Sequence, residues 1–477
     1  MHISRTASQL QKYALYVFAG LVLIAVTGAA QPAMAAFKAI PQIVNTSKTT
    51  DSEAETAVAI NQLNPQQITI VSNRNTGAGT FHAWSTDGGL TWQNDIIADN
   101  DALGQSCCDA QLASDEFGNI FLTYLSANIQ VKMAVSTDGG ATFKPIPFLS
   151  LPLGQPLIPG KSLAFAGQAV GGDQPSIAAA HGSVWVSWTS SSGKIQASGA
   201  AVTGLGLVGT FSPAQSIPGS NNSGDYGDTS IGPDGQVYVV YQTPTGGEGP
   251  ATILGALDPD GLGPQGFQAA QVLQTTNVGG FDFIPAQSGR SIDAESGLAW
   301  DRTGGTHNGR LYLVYVSEQP QESNDTDIQI KFSDDNGTTW SNPVRVNDDT
   351  GTNSQFNPRI SLDQTTGLLG VAWYDCRNDL GDHGKGDTNG VANDDTMIYA
   401  SVSRDGGLTF QRNKRLSAGA SDDNGGGSST DYGDYSGFSF FGGTFYFAAA
   451  DNSNSTGDNP AGKLHAFDLY TAPVSVH

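Results

Sequence analysis

The sequence predicts an all-β protein built from one repeated unit, and three observations predict it. An eight-residue turn pattern occurs four times along the 477 residues. Glycine occurs 60 times, and Asn, Asp, Ser and Thr are frequent, as in chains with many short strands. No long stretch after residue 36 carries apolar residues at helical spacing. A hairpin that returns at intervals of about one small sheet is typical of a β-propeller.

The repeated pattern is Ser-x-Asp-x-Gly-x-Thr followed by an aromatic residue, at residues 85–92, 136–143, 333–340 and 403–410. An aspartate accepts hydrogen bonds from nearby backbone N–H groups, and glycine adopts a positive φ without strain. The threonine and the aromatic residue favour the start of the next strand. We therefore expect each copy to be a hairpin turn with a structural role.

This pattern resembles the Asp box of sialidases and other bacterial-neuraminidase-repeat proteins of the exported bacterial type. The resemblance implies a propeller whose boxes lie on the rim away from the active site, so the boxes indicate fold and not catalysis.

The strand-like segments predict one propeller of seven four-stranded blades, whereas typical sialidase domains have six, which is the alternative. The last unit shows three strands, the final one at residues 463–470. We expect the strand at residues 40–45 to supply the fourth, because this closes the ring without an open sheet edge.

The N-terminus predicts a signal peptide at residues 1–35. Basic residues precede an apolar run at residues 13–30, and Ala33-Met34-Ala35 fits the small-x-small cleavage rule. We expect cleavage after Ala35 and a secreted or periplasmic, monomeric propeller at residues 36–477, free of the membrane. A retained anchor is the alternative.

The formal net charge of −23 argues against a nucleic-acid partner, because phosphates need cationic side chains. It also argues against a polyanionic substrate held by charge alone. We expect a solvated acidic surface.

The chain has three cysteines, Cys107, Cys108 and Cys376. An odd number leaves at least one thiol unpaired within the chain. A vicinal disulfide and a bridge from either neighbour to Cys376 both remain open.

A column of acidic residues stands at the start of the predicted innermost strands. Six of its seven positions are acidic, Glu55, Asp109, Asp173, Asp228, Glu295 and Asp434, and the seventh is Asn357. We expect these side chains at one mouth of the central channel, where like charges need compensation. Three interpretations follow: a cation such as Ca²⁺ held by the six carboxylates, protonation for acid–base catalysis, or capping of each strand's backbone.

No cofactor is required by the sequence, and Ca²⁺ is the ion that it suggests. The segments at residues 382–395 and 422–431 are also acidic and glycine-rich, although neither has the ligand spacing of an EF-hand loop.

The sialidase resemblance implies three arginines that clamp a carboxylate, a tyrosine nucleophile activated by a glutamate, and an aspartate as acid–base. The arginines that match this set are Arg290, Arg359 and Arg377. The nucleophile is sought among Tyr435, Tyr226 and Tyr374, and the acid–base among Asp109, Asp173 and Asp434. Tyr226, Tyr374 and Asp228 are further candidates for binding.

The chain departs from that family at two points. The Arg-Ile-Pro motif is absent, since residues 283–285 are Phe-Ile-Pro, and no Tyr–Glu pair matches by position. For each arginine, a salt bridge on the surface or between blades is the alternative.

The sequence therefore predicts an exported, exo-acting glycoside hydrolase of sialidase-like type with a glycan or glycoconjugate substrate. A non-catalytic propeller that binds a glycan or a protein, with a cation in its channel, is the alternative from another class. A polysaccharide lyase with a Tyr or His base is the third hypothesis.

Overall fold

The computed structural model describes residues 43–147, 172–221, 223–244, 246–423 and 431–476, and these form 33 β-strands. The strands build seven sheets of four or five strands and one separate two-stranded hairpin. The predicted all-β propeller with seven blades is therefore confirmed. The predicted signal peptide lies outside the described residues. Within the described ranges, no helix has the length and apolar character needed to cross a membrane.

The first three blades follow in chain order. After β1 (Val44–Asn45), blade 1 comprises β2 (Glu53–Ile60), β3 (Ile68–Arg74), β4 (Thr80–Ser85) and β5 (Gln93–Ile97). Blade 2 comprises β6 (Asp99–Asp101), β7 (Gly104–Ser114), β8 (Ile120–Ser126), β9 (Val131–Ser136) and β10 (Lys144–Ile146). Blade 3 comprises β11 (Gly172–Ala180), β12 (Ser183–Ser190), β13 (Ile195–Gly204), β14 (Leu207–Val208) and β15 (Gln215–Ser216).

The fourth to sixth blades continue the series. Blade 4 comprises β16 (Asp225–Ile231), β17 (Val237–Thr243), β18 (Ala251–Asp258) and β19 (Gln271–Thr276), and the separate hairpin β20 (Asp282–Ile284) and β21 (Gln287–Ile292) follows it. Blade 5 comprises β22 (Gly297–Trp300), β23 (Leu311–Glu318), β24 (Thr326–Ser333) and β25 (Val344–Arg345). Blade 6 comprises β26 (Gln355–Leu362), β27 (Leu369–Asp375), β28 (Asp395–Ser403), β29 (Lys414–Arg415) and β30 (Ser421–Asp422).

Both ends of the described chain lie in blade 7. Its strand order is β1, β33 (Asp468–Ser475), β32 (Thr444–Asp451) and β31 (Gly437–Phe441), so the predicted closure by the N-terminal strand is confirmed. The last strand begins later than the predicted segment at residues 463–470. The closure rests on Asp468, which is fully buried and accepts hydrogen bonds from Asn45 Nδ2 (2.5 Å), Ser47 Oγ (3.0 Å) and the Thr49 backbone N–H (3.1 Å).

The innermost strands of all seven blades line one central channel with a volume of about 240 Å³. Its wall combines alanine and larger aliphatic or aromatic side chains with polar side chains such as Ser176, Ser230 and Ser361 from these strands. Aromatic and aliphatic clusters between neighbouring blades form the core, for example around Trp185 and Tyr241 between blades 3 and 4. The rigid ring fixes where each innermost strand begins.

The repeated turn has the same hydrogen-bond network in every copy. In the first, Asp87 Oδ1 accepts the Ser85 hydroxyl (2.8 Å) and the Thr91 backbone N–H (2.9 Å), while its Oδ2 accepts the Thr91 hydroxyl (2.6 Å). The Gly89 N–H donates to Ser85 Oγ (2.9 Å). Hydrogen bonds from Thr91 lower the pKa of Asp87 to about 2. The aspartate of each repeated turn therefore accepts its hydrogen bonds from residues of the same turn.

These turns and the acidic column lie on opposite faces of the ring. In blade 1 the register pairs Glu53 at the start of β2 with Arg74, whereas Ile60 at its end pairs with Ile68, which in turn pairs with Ser85. The turn at Ser85 therefore stands at the far end of the blade from Glu55. The face that carries the acids is free of the repeated turns.

The closure predicts a large loss of stability for Asp468→Ala. Three donors would lose their buried acceptor, so we expect the free energy of unfolding to fall by about 2–4 kcal/mol in denaturant titrations. The control is Lys48→Ala, which removes only the exposed ion pair with Asp458 in the same region and should change the free energy by less than about 0.5 kcal/mol. Equal effects of the two substitutions would contradict this role of Asp468.

Candidate functional site

A β-bulge near the start of the innermost strands shapes one mouth of the channel. In β2 the ladder to β3 pairs Ala54 with Asn73 and then Ala57 with Val71, so two residues face one. The same shift occurs after Cys108 in β7, Asp173 in β11, Asp225 in β16 and Phe356 in β26. Such bulges re-aim side chains and are frequent beside functional sites.

The first unpaired residue of the bulge has left-handed backbone geometry in four blades, and Glu295, two residues before β22, has it in a fifth. The φ values are 53° at Glu55, 58° at Asp109, 45° at Gln174, 42° at Glu295 and 49° at Asn357. Non-glycine residues rarely adopt this conformation, and such strained positions concentrate at binding and catalytic sites. Five equivalent strained positions around one mouth mark it as the candidate functional site.

The bulge corrects the predicted acidic column. Counting from the register, the equivalents of Glu55 are Asp109, Gln174, Tyr226, Glu295, Asn357 and Tyr435. Asp173 and Asp434 stand one residue earlier, and Asp228 stands two residues later. Asp173 and Asp434 nevertheless lie at the mouth, beside Asp109 and Arg290, whereas Asp228 lies inside the channel, because a simple count of alternating residues does not include the extra residue of the bulge.

Arg290 forms the electrostatic centre of the mouth. It donates to Asp434 through Nε (2.6 Å to Oδ1) and Nη2 (2.5 Å to Oδ2), and Nη2 lies 2.9 Å from Glu55 Oε1. The Gln174 amide also donates to Asp434 Oδ2 (3.3 Å), and the Asn73 amide donates to Glu55. A bidentate pair of this kind fixes the guanidinium plane as well as its charge.

The separate hairpin β20–β21 carries Arg290 to this position. The Gly289 and Arg290 backbone N–H groups both donate to Asp431 Oδ2 (2.9 Å each). The buried Gln287 side chain accepts the Tyr432 N–H (2.8 Å) and donates to the Gly433 carbonyl (3.1 Å). The hairpin is therefore tied to residues 431–433, immediately before Asp434.

The buried carboxylic acids at the mouth have raised pKa values. Burial, followed by the negative charge of Asp434, raises the pKa of Glu55 to about 7. Burial also raises the pKa of Asp109, with further increases from Glu55 and Asp173. It raises the pKa of Glu295 well above its usual range, although the Arg359 charge opposes this. Raised pKa values of this kind favour the protonated form of each group and are typical of carboxylic acids that exchange protons in a reaction.

Tyr435 lies among these acids. It is 5% exposed, and among the described residues its hydroxyl oxygen has no well-aligned hydrogen bond. Burial and the charges of Asp109 and Glu55 raise the pKa of its hydroxyl, so the resting group is a neutral phenol. The Arg359 guanidinium carbon lies 5.2 Å from the ring centroid, while its Nε donates to the Ser436 carbonyl (3.0 Å).

A small pocket of about 40 Å³ opens between these side chains. It is lined by Gln111, Gln174, Pro175, Ser176, Gly227, Asp293, Glu295, Ser296, Arg359, Asp434 and Tyr435. This volume holds about two water molecules and is well below the several hundred Å³ of ordinary ligand pockets. A ligand larger than a single functional group must rest on the mouth or displace side chains.

Sequence reasoning missed several residues of this pocket. Asp293 is 2% exposed, and its carboxylate accepts the Glu295 backbone N–H inside the bulge. Burial and the Glu295 charge raise the pKa of Asp293. One sequence signal could have placed Gln174 in the column. A proline follows both Gln174 and Asn357, and each of these pairs occupies the two unpaired positions of a bulge.

Three predicted site residues lie elsewhere or have another role. Arg377 is bound by Asp375 (2.7 Å) and Asp348 (2.6 Å) and stacks on Tyr399, apart from Arg290 and Arg359. The predicted clamp of three arginines is therefore wrong, because two aspartates hold Arg377 beside the outer strand β29. Tyr374 is fully buried, and its hydroxyl both donates to and accepts from the Ala450 backbone.

Asp228 behaves as the capping interpretation predicts. Its Oδ1 accepts the Thr229 N–H (2.8 Å) and the Ser176 hydroxyl (2.5 Å), and its Oδ2 accepts the Leu298 N–H (2.8 Å). It joins blades 3, 4 and 5 inside the channel rather than at the mouth. The backbone of Tyr226 occupies the bulge of β16, and its binding role stays a prediction.

The mouth does not have the geometry of the predicted cation ring. In the described part of the chain, no three carboxylates here bring oxygens within 4.8 Å of one another, and Arg290 supplies the positive charge between Glu55 and Asp434. Glu55, Asp109, Asp173, Glu295 and Asp434 instead surround the arginine and the pocket.

Just before Asp109, a disulfide joins Cys107 and Cys108, and Cys376 is a buried free thiol, which answers the open question of pairing.

The raised pKa of Glu55 predicts a pH dependence of stability. Between pH 4.5 and 7 the folded chain keeps a proton that the unfolded chain has released, so this group makes stability fall as the pH rises. Glu55→Gln should make the slope of unfolding free energy against pH less negative by up to about 1.4 kcal/mol per unit, or about 3 kcal/mol in all.

Denaturant titrations between pH 4.5 and 7.5 measure this slope. Glu322→Gln, at an exposed carboxylate, serves as the control and should leave the slope unchanged. An unchanged slope in Glu55→Gln as well would contradict the assignment.

Comparisons with known proteins place no family on this chain. No family model and no curated protein matches it. Among solved structures, an α-L-arabinanase from Penicillium chrysogenum complexed with arabinobiose has 10% identity and a TM-score of 0.44, over 91% of this chain and 99% of that one. The BP39L lectin from Burkholderia pseudomallei has 12% identity and a TM-score of 0.47, over 76% and 84%. A protein of unknown function from Dyadobacter fermentans has 11% identity and a TM-score of 0.47, over 92% and 99%. At these values the similarities carry no argument about activity.

Proposed function

We propose that the mouth of the channel is the active site of an exo-acting glycoside hydrolase. The single observation that carries the proposal is the group of buried carboxylic acids, with raised pKa values, around Tyr435, Arg290 and Arg359. Cleavage of a glycosidic bond needs a proton donor for the leaving oxygen and a negatively charged or nucleophilic group on the sugar side. Both kinds of group are present within this one mouth.

Each residue has a role in the proposed reaction. Glu295, which lines the pocket and whose pKa burial raises, donates a proton to the leaving oxygen. Tyr435 attacks the anomeric carbon or, as a neutral phenol, donates a hydrogen bond to the sugar. Because burial disfavours the phenolate, attack by Tyr435 requires an ionised carboxylate to take its proton during the step. Arg290 and Arg359 hold the acids in place and limit their mutual repulsion.

The pairing of Arg290 favours a neutral sugar over an acidic one. The mouth holds six carboxyl groups, Glu55, Asp109, Asp173, Asp293, Glu295 and Asp434, and two guanidinium groups. Arg290 already pairs with Glu55 and Asp434, so a substrate carboxylate would have to displace Asp434 to reach this guanidinium. The sialidase-like form of the proposal, with a sialic acid substrate, is therefore the less favoured one.

The dimensions of the pocket support a second candidate function. A volume of about 40 Å³ does not enclose a sugar ring, which favours a non-catalytic propeller that binds a glycan end or an exported protein across the mouth. In that case Tyr435 and Glu295 contribute hydrogen bonds but no proton transfer.

Substitution of Tyr435 separates the two candidates. On nitrophenyl glycosides of neutral pyranoses and furanoses, Tyr435→Phe and Glu295→Gln should each lower kcat/KM by about 100-fold or more, measured by nitrophenol release. The matched control is Tyr241→Phe, because Tyr241 is also buried with an unpartnered hydroxyl in the described structure but lies in the core between blades 3 and 4.

The panel also includes nitrophenyl sialosides and uronides, with thermal unfolding to show that each variant is folded. Release from sialosides alone would contradict the preference for a neutral sugar. Binding on a glycan array without turnover on any substrate would overturn the hydrolase and leave the binding candidate.

A further inference from the structure

A second group of acids lies away from the mouth, in the insertion between β27 and β28. Asp379, Asp394 and Asp395 are 0%, 3% and 1% exposed, and one carboxylate oxygen of each lies within 4.8 Å of the other two. Oxygen ligands that surround a Ca²⁺ ion at 2.3–2.6 Å are separated by at most about 5 Å. The three side chains therefore have the spacing of a ligand set for one cation.

The protein supplies no positive charge to this group. Within the described ranges, none of the three aspartates forms an ion pair with a lysine or arginine, in contrast to Asp434 at the mouth. Several buried carboxylates at such spacing are costly unless a cation or protons compensate their charge.

One oxygen in the group is both buried and without a partner. Asp394 Oδ1 has essentially no exposed surface and accepts no hydrogen bond from any described residue, whereas its Oδ2 accepts the Asn389 amide (3.0 Å). A buried carboxylate oxygen normally finds a donor, so this atom points to a ligand that the chain does not provide.

The surrounding backbone holds the group in place. Asp379 Oδ2 accepts the backbone N–H groups of Asp394 (2.8 Å) and Asp395 (2.9 Å), and Thr388 Oγ1 donates to Asp395 Oδ1 (2.8 Å). Asp395 pairs in the ladder with Asp422, whose carboxylate also accepts the Asn389 amide (3.2 Å). Asp379 Oδ2 is thereby saturated, but in the described structure Asp379 Oδ1, Asp394 Oδ1 and Asp395 Oδ1 each accept at most one hydrogen bond and retain a lone pair for a cation.

We propose that Asp379, Asp394 and Asp395 bind one calcium ion that joins the insertion at residues 376–394 to the start of β28. Hard carboxylate oxygens on a pre-organised backbone suit Ca²⁺ better than Mg²⁺, which demands strict octahedral geometry and keeps its water. The proposal is independent of the activity at the mouth.

Calorimetric titration of chelator-treated protein with CaCl₂ tests the site directly. One ion per chain is expected, and at a hundredfold excess over the Kd the ion should raise the Tm by about 3 °C relative to EDTA. The same titration with MgCl₂ should give weaker binding. Absence of both heat and a Tm shift with CaCl₂ would overturn the proposal, whatever the behaviour of any variant.

Asp394→Asn tests both the affinity for Ca²⁺ and the repulsion between the carboxylates when no ion is bound. The substitution removes one charge, so affinity for Ca²⁺ should fall at least about tenfold, while in EDTA the Tm should rise above that of the natural chain because repulsion is relieved. A purely structural role would lower the Tm under both conditions. The control Asp382→Asn changes an exposed aspartate of the same insertion and should leave affinity and Tm unchanged. Calcium binding that is unaltered by Asp394→Asn would place the ion elsewhere and overturn the assignment.

Discussion

The β-bulge at the start of the innermost strands is the constraint on which the candidate site depends. In a regular strand, side chains alternate between the channel and the blade interior, and the side chains of neighbouring blades remain apart. The extra residue turns the backbone into the left-handed region at Glu55, Asp109, Gln174 and Asn357 and, with the same geometry at Glu295, brings these side chains to one mouth. The same strained backbone conformation recurs in several blades. It persists because the remaining residues of each innermost strand are paired with the next strand of the blade.

The fold could be predicted from the sequence because its signals are local. The repeated turn satisfies its own hydrogen bonds within eight residues, from Ser85 to the aromatic ring of Trp92, so its pattern survives in the sequence unchanged. Ring closure was predictable for a different reason. The last unit shows three strands, and one strand at the N-terminal end has no blade of its own, so pairing the two removes the open sheet edge.

The site was predicted only in part because its geometry is not local. The acids could be found as a column, but Asp173, Asp228 and Asp434 were misplaced by one or two positions, since a bulge is invisible to a count of alternating residues. Arg290 was selected correctly for the mouth, although the two-stranded hairpin that presents it has no repeat to reveal it. Arg377 was grouped with it on chemistry alone, and only the folded chain shows that Asp375 and Asp348 hold it near β29.

The acids at the mouth and the acids of the insertion both repel one another, and their negative charge is reduced in different ways. At the mouth, Arg290 stands between Glu55 and Asp434, and burial raises the pKa values of Glu55 and Asp109, so negative charge is limited by a guanidinium and by protonation. In the insertion, no described lysine or arginine pairs with Asp379, Asp394 or Asp395, and one oxygen lacks any donor. Protons that can move suit a site for acid–base chemistry, whereas a fixed divalent charge suits a site that orders a long loop. It matters that the proposed cation site is not at the mouth. A cation at the mouth would compete with Arg290 for the carboxylates and would lower the pKa values on which proton transfer depends.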